Sequence, residues 1–260
     1  MPQATINHQS LYYEDTGGNG QPIILSHGFL MDHQMFAAQI AVLAPHYRVI
    51  SWDQRGFGST VADGKPFSYW DSARDALALL DHLNIDRAIF GGMSQGGYLS
   101  LRAALLAPQR VQALVLIDTQ AGAESVEKRG AYRQLLEGWA QQGLSDEVAA
   151  IIAQIIIDSP AHNAAWIAKW KAYDATRLLA PTDCLIDRDD IVARLPEIGA
   201  PALVIHGTRD NAIEMDRAEA LCQGLRDCRG LLRVDGAGHA ANMTHSELVN
   251  PPLLQFLRSL

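Results

Sequence analysis

Cysteine is scarce in this 260-residue chain: Cys184, Cys222 and Cys228 are the only three. None lies in a Cys-x-x-Cys pair, which removes the common thiol-redox motif and the common zinc spacing. An odd count without a secretory leader reads as reduced thiols in a cytoplasmic protein, although Cys222 and Cys228 are near enough in sequence to pair. The opening Met1-Pro2-Gln3-Ala4-Thr5-Ile6-Asn7-His8 has no basic segment followed by an apolar stretch, so no secretory signal is expected. No run of 18 apolar residues occurs, which excludes a membrane-spanning helix. Basic charge is also short. Lys and Arg number 21 against 29 Asp and Glu, a net charge of −8. That balance argues against nucleic acid or an anionic membrane as partner. Nine histidines are present, yet no His-Glu-x-x-His or comparable ligand spacing appears, so neither a metal nor a cofactor is expected.

What the chain has is a rhythm. Residues 5–14 alternate as a hairpin does, and Thr16-Gly17-Gly18-Asn19-Gly20 supplies a turn. Short apolar runs then read as strands at 22–26, 48–53, 88–92, 113–118, 202–207 and 231–235. Helical patterns separate them at 33–43, 69–83, 95–106 and 215–225. Runs such as Ile23-Ile24-Leu25 and Leu114-Val115-Leu116-Ile117 are apolar on both faces, as a parallel sheet covered by helices requires. From 121 to 197 the rhythm stops, and only helical patterns follow, near 126–142, 146–157 and 163–179. The expected fold is therefore α/β: a doubly wound, mostly parallel sheet built by residues 1–120 and 198–260. A helical cap, 121–197, is inserted after the sixth core strand, counting the hairpin.

The strongest chemical signal is Gly92-Met93-Ser94-Gln95-Gly96, directly after one strand run and directly before a helical one. Gly-x-Ser-x-Gly in that setting is a nucleophile elbow. Serine at so sharp a turn needs small residues two before and two after, so that strand and helix can approach. The helix start beneath it aims N–H groups and a positive dipole end at a developing anion.

A serine nucleophile needs a base. His239, in Gly236-Ala237-Gly238-His239 after the last strand, sits where a loop can reach across the sheet edge. Asp210, in Gly207-Thr208-Arg209-Asp210, is the leading candidate to orient it, and the chain order Ser, Asp, His fits this topology. Asp118 is the rival acid, since it ends a strand at the same edge. His27-Gly28-Phe29 follows the first buried strand, so the backbone N–H groups of Phe29 and Gln95 are expected to form an oxyanion hole.

With these pieces in order the chain resembles the cap-bearing α/β-hydrolases, close to their esterase and enol-lactonase members. The resemblance extends to Asp53-Gln54-Arg55-Gly56-Phe57-Gly58-Ser59, similar to a turn that is structural in that family. Serine at the elbow, rather than aspartate, sets the chain apart from the dehalogenases and epoxide hydrolases of the fold. Gly-Met-Ser-Gln-Gly also differs from the Gly-Asn-Ser-Met-Gly usual in carbon–carbon bond hydrolases. The resemblance implies cleavage of a small carboxylic ester or lactone through an acyl-enzyme on Ser94. A carbon–carbon hydrolase and a slow, ligand-sensing receptor are the alternatives. Phe29, Met93, Trp139 and Met243 are the expected pocket residues, all apolar, which points to a neutral substrate. Trp166, Trp170 and Tyr173 add aromatic bulk to the cap, and residues 151–157 offer an isoleucine-rich run that can face the cleft. The four-residue spacing of Trp166 and Trp170 favours the cap's own core over a cleft wall.

Overall fold

A computed structural model describes residues 3–260. Asn7 and His8 both adopt positive φ, 46° and 67°, the two-residue turn whose twist suits an antiparallel hairpin. They join β1 (Gln3–Ile6) to β2 (Gln9–Asp15), with Ile6 opposite Gln9. The remaining strands are β3 (Gln21–Ser26), β4 (Tyr47–Trp52), β5 (Ala88–Met93), β6 (Val111–Ile117), β7 (Ala202–Gly207) and β8 (Cys228–Val234). One eight-stranded sheet results, in the order β1-β2-β4-β3-β5-β6-β7-β8. It is parallel from β4 to β8 and antiparallel only where β2 meets β1 and β4.

Every residue of β5 and β7 is buried, because helices cover both faces of the sheet. Alternate side chains feed two apolar cores. Ile24, Trp52, Phe90 and Val204 enter one, while Ile23, Val49, Ile89 and Leu203 enter the other. The helices flanking the sheet are α1 (Ala37–Leu43), α2 (Tyr69–His82) and α3 (Gln95–Leu106) before β6. A capping box fixes the start of α2: Ser68 accepts from the Asp71 amide, and the Asp71 carboxylate accepts from the Ser68 amide. The edge strand β8 is only half-buried and begins three residues earlier than its apolar run, since Cys228, Arg229 and Gly230 carry little apolar signal.

Between β6 and β7 lie α4 (Val126–Gln142), α5 (Asp146–Ile156), α6 (Pro160–Lys171) and α7 (Leu179–Ile186), with two 3-10 turns. Ser125 and Ser145 cap the first two by accepting from the Lys128 and Val148 amides. The single helix expected over 163–179 is instead broken. The chain leaves α6 at Lys171, and the Asp174 carboxylate accepts from the Thr176 amide to open a new turn. After β7 come α8 (Met215–Gly224), α9 (Ala241–Thr244) and α10 (Ser246–Arg258). Among the described residues no helix is long and apolar enough to cross a membrane.

The cysteines correct one expectation. Cys222 of α8 and Cys228 of β8 are joined by a disulfide, their Cα atoms 5.4 Å apart. Reasoning from an odd count and an assumed compartment missed this, because the tight α8–β8 connection sets the distance. Cys184 is a free, buried thiol, its pKa pushed up by burial.

Candidate active site

Ser94 joins β5 to α3 with φ 51° and ψ −115°, a conformation that costs energy for a residue with a side chain. The surroundings hold it there. Its amide donates to the Ile117 carbonyl of β6 at 2.9 Å, and its own carbonyl accepts from Thr119 Oγ1 at 2.7 Å and from the Gly97 amide at 2.9 Å. The flanking glycines are steric requirements. A Cβ on Gly96 would stand 1.8 Å from the Ser26 carbonyl oxygen, and one on Gly92 would stand 2.1 Å from the Gly96 backbone.

His239 follows β8 and is buried, with Nδ1 2.7 Å from Asp210 Oδ2. The other oxygen of Asp210 accepts from the amides of Ala212 and Ile213 at 2.8 and 3.0 Å. Burial acts to raise the Asp210 pKa, but His239 and these amides outweigh it and hold the carboxyl below its usual value. For His239 burial acts to lower the pKa, and the charge and hydrogen bond of Asp210 win, so the imidazole titrates above its usual value. Ser94 and His239 line the same cavity.

Asp118 lies one layer behind. It is wholly buried at φ 45°, and its two oxygens accept from the Gly207 amide at 2.8 Å and the Ala241 amide at 2.9 Å. Burial, and then the charge of Asp210, push its pKa well above the usual carboxylate range. Asp118, His206 and Asp210 have ligand-like spacing for a metal. Their donor atoms are committed elsewhere, however: His206 Nε2 is bonded to the Ile213 carbonyl, and both carboxylates to amides and His239. Of the donor atoms of these three residues only His206 Nδ1 is without a hydrogen-bond partner among the described residues, which does not make a metal site.

The β3 loop carries Phe29 beside the elbow. His27 Nε2 accepts from the Gln54 amide at 2.9 Å, so the ring is neutral with its proton on Nδ1, donated to the Gly28 carbonyl at 2.7 Å. Among the described residues neither the Phe29 nor the Gln95 amide donates a hydrogen bond. Asp53 is structural. It receives His33 on one oxygen and the Ser59 amide on the other, and a Cβ on Gly58 would stand 2.1 Å from it.

The cavity at Ser94 has a volume of about 80 Å3. Phe29 and Met93 line it from the sheet side, and Leu136, Ile152, Ile155 and Ile156 from α4 and α5. Trp139 and Met243, expected there, do not line it; Trp139 faces a neighbouring chamber. Tyr98, Tyr132 and Glu124 do line it and were not foreseen. Glu124 is paired with Arg188 at 3.2 Å, both side chains almost wholly buried, and the Arg188 guanidinium lies 4.5 Å over the Tyr98 ring. Only Tyr98 was within reach of sequence reading, one turn into α3 from Ser94. The Glu124–Arg188 pair spans 64 residues and has no local signature. Arg102 is held by Asp189, and Arg129 lies near Asp187; neither lines the cavity.

Known proteins agree with this architecture. A thermophilic esterase from Thermogutta terrifontis superposes with a TM-score of 0.90 at 26% identity, covering 99% of this chain and 98% of its own. The enol-lactonase from Burkholderia xenovorans gives 0.89 at 27% identity, covering 99% and 100%. A chain provisionally named carbamate hydrolase RutD in Agrobacterium fabrum is 30% identical over 256 residues, 93% of this chain and 95% of that one. The profile of the alpha/beta hydrolase fold matches residues 21–156. The chain belongs to the α/β-hydrolase fold family.

Proposed function

We propose that this protein hydrolyses small neutral carboxylic esters or lactones by acyl transfer to Ser94. The observation that carries the reading is the 2.7 Å bond from His239 to the buried Asp210, with His239 and Ser94 lining one cavity. With Nδ1–H committed to Asp210, the neutral ring keeps Nε2 as the base that takes the Ser94 proton when Oγ attacks the carbonyl carbon. Charge then develops on the carbonyl oxygen, and the uncommitted amides of Phe29 and Gln95 receive it. Such donors typically contribute roughly 3–4 kcal/mol each. Collapse of the adduct releases the alcohol, protonated by His239 Nε2–H. Water, deprotonated by the same nitrogen, attacks the acyl-Ser94 carbonyl, and the acid leaves as Oγ recovers its proton.

Residues 121–197 act as a cap over the cavity. Their apolar lining favours a neutral acyl group, and the one carboxylate present, Glu124, is already paired. The volume favours a small one: about 80 Å3 is well under the roughly 150 Å3 that holds benzene. The esterase and enol-lactonase neighbours support the ester reading, while the relative named for carbamates makes a carbamate the second substrate to try.

The test is turnover of 4-nitrophenyl acetate and butyrate, a lactone series and a phenyl carbamate by wild type and Ser94→Ala. Ser94→Ala is expected to lower kcat by ~10^3-fold or more, and wild type to show an acyl adduct on the Ser94 peptide by mass. Activity that survives in Ser94→Ala, or a folded wild type inert towards the whole panel, overturns the reading.

A further inference from the structure

Three of the five tryptophans, Trp139, Trp166 and Trp170, line one cavity, and it is not the cavity of Ser94. Phe57 and Tyr173 complete its aromatic wall. The two spaces share only Leu30, and the Phe29 ring of one stands edge-on to the Phe57 ring of the other at 5.4 Å. The aromatic chamber measures about 290 Å3, well above the roughly 150 Å3 that admits benzene.

The charged groups in its walls are already paired. Lys169 Nζ contacts Asp32 Oδ2 at 2.6 Å and Gln34 Oε1 at 2.8 Å, and lies 4.0 Å over the Trp166 ring. Asp53 is occupied by His33 and the Ser59 amide, and the Trp170 indole N–H by the Leu30 carbonyl at 2.7 Å. Tyr173 differs: its buried hydroxyl has no hydrogen-bond partner among the described residues. Burial pushes its pKa up to about 12, so it keeps its proton and can donate at neutral pH. A buried hydroxyl left unpaired is a standing cost that a ligand acceptor removes.

We infer that this chamber is a second small-molecule site, separate from Ser94, for a neutral single-ring aromatic compound whose oxygen accepts a hydrogen bond from Tyr173 once the side chains covering that hydroxyl give way. Paired walls give a charged ligand no partner, and the indole faces reward a flat ring. The site stands whether or not Ser94 is the nucleophile, so its test reads binding rather than turnover.

The experiment titrates benzyl alcohol and toluene into wild type, Tyr173→Phe and Ile152→Phe, followed by tryptophan fluorescence. Ile152 lines only the Ser94 cavity, so its replacement narrows that space alone. Saturable quenching by benzyl alcohol is expected in wild type and in Ile152→Phe. Tyr173→Phe is expected to weaken benzyl alcohol by about five-fold and leave toluene unchanged, the scale of one hydrogen bond. The inference is overturned by non-saturable quenching in wild type, by equal benzyl alcohol affinity in wild type and Tyr173→Phe, or by binding lost in Ile152→Phe.

Discussion

Two buried carboxyls lie near one histidine, and their surroundings decide which of them carries the charge. Asp210 touches His239 and two amides, which hold it ionised, whereas Asp118 is deeper and feels the charge of Asp210. On the proposed mechanism His239 acts as a base in its neutral form, and its pKa is raised, so activity should appear only as pH climbs past a midpoint above 6.5. Asp210→Asn removes the charge that raises it. Burial is then opposed only by the Asp118 carboxyl, and the acid limb of the kcat profile should move to lower pH. At the same time kcat should fall by ~10^3–10^4-fold, because the ring loses its correct tautomer. Asp118→Asn should leave kcat within about ten-fold of wild type. Its cost should appear in stability, about 1–3 kcal/mol in urea, since an amide has one acceptor oxygen where two backbone N–H groups need one each. A pH profile of Asp210→Asn that overlays wild type would remove His239–Asp210 from the mechanism.

At the scale of elements, glycine divides into two kinds. Gly96 packs against β3 so closely that Gly96→Ala meets backbone at 1.8 Å, which neither element can yield, and a loss beyond ~3 kcal/mol is expected. Gly130 sits in the exposed body of α4 with nothing within 4 Å, so Gly130→Ala should stabilise by about 0.5–1 kcal/mol. Urea denaturation of the pair checks both signs. The same contrast explains what the sequence could reveal. The elbow was legible because its chemistry, its glycines and its flanking strand and helix all lie within about twenty residues. The strands β3, β5, β6 and β7 were legible because burial on both faces writes an apolar run of three or more residues, whereas β4 carries Arg48 and Ser51 around Val49 and Ile50. β8 began outside its apolar run because an edge strand needs none, and the break after α6 turned on a single aspartate side chain. Trp139 was misplaced because α4 borders both cavities, Leu136 lining that of Ser94 and Trp139 its neighbour, and the helical period alone does not say which residue serves which.

For the whole molecule, the disulfide ties α8 to the exposed edge strand of the sheet. It closes a short loop, since the two cysteines are 6 residues apart. Loop-closure entropy for so short a ring amounts to about 2 kcal/mol. Reduction, or the double variant Cys222→Ser with Cys228→Ser, should lower Tm by ~5 °C. An unchanged Tm under reductant would mean the bond adds nothing to the folded state. Counting cysteines could not reveal this bond, because pairing depends on where α8 ends relative to β8.

Ser94, Asp210, His239 and the two free amides hang from the carboxyl ends of β3, β5, β7 and β8, and none of them belongs to the helices between β6 and β7. That insertion is joined to the sheet by only two crossings of the chain. A lineage carrying this gene can therefore redraft the wall of the Ser94 cavity, by exchanging or shuffling one contiguous segment, while the groups proposed to break bonds are inherited untouched.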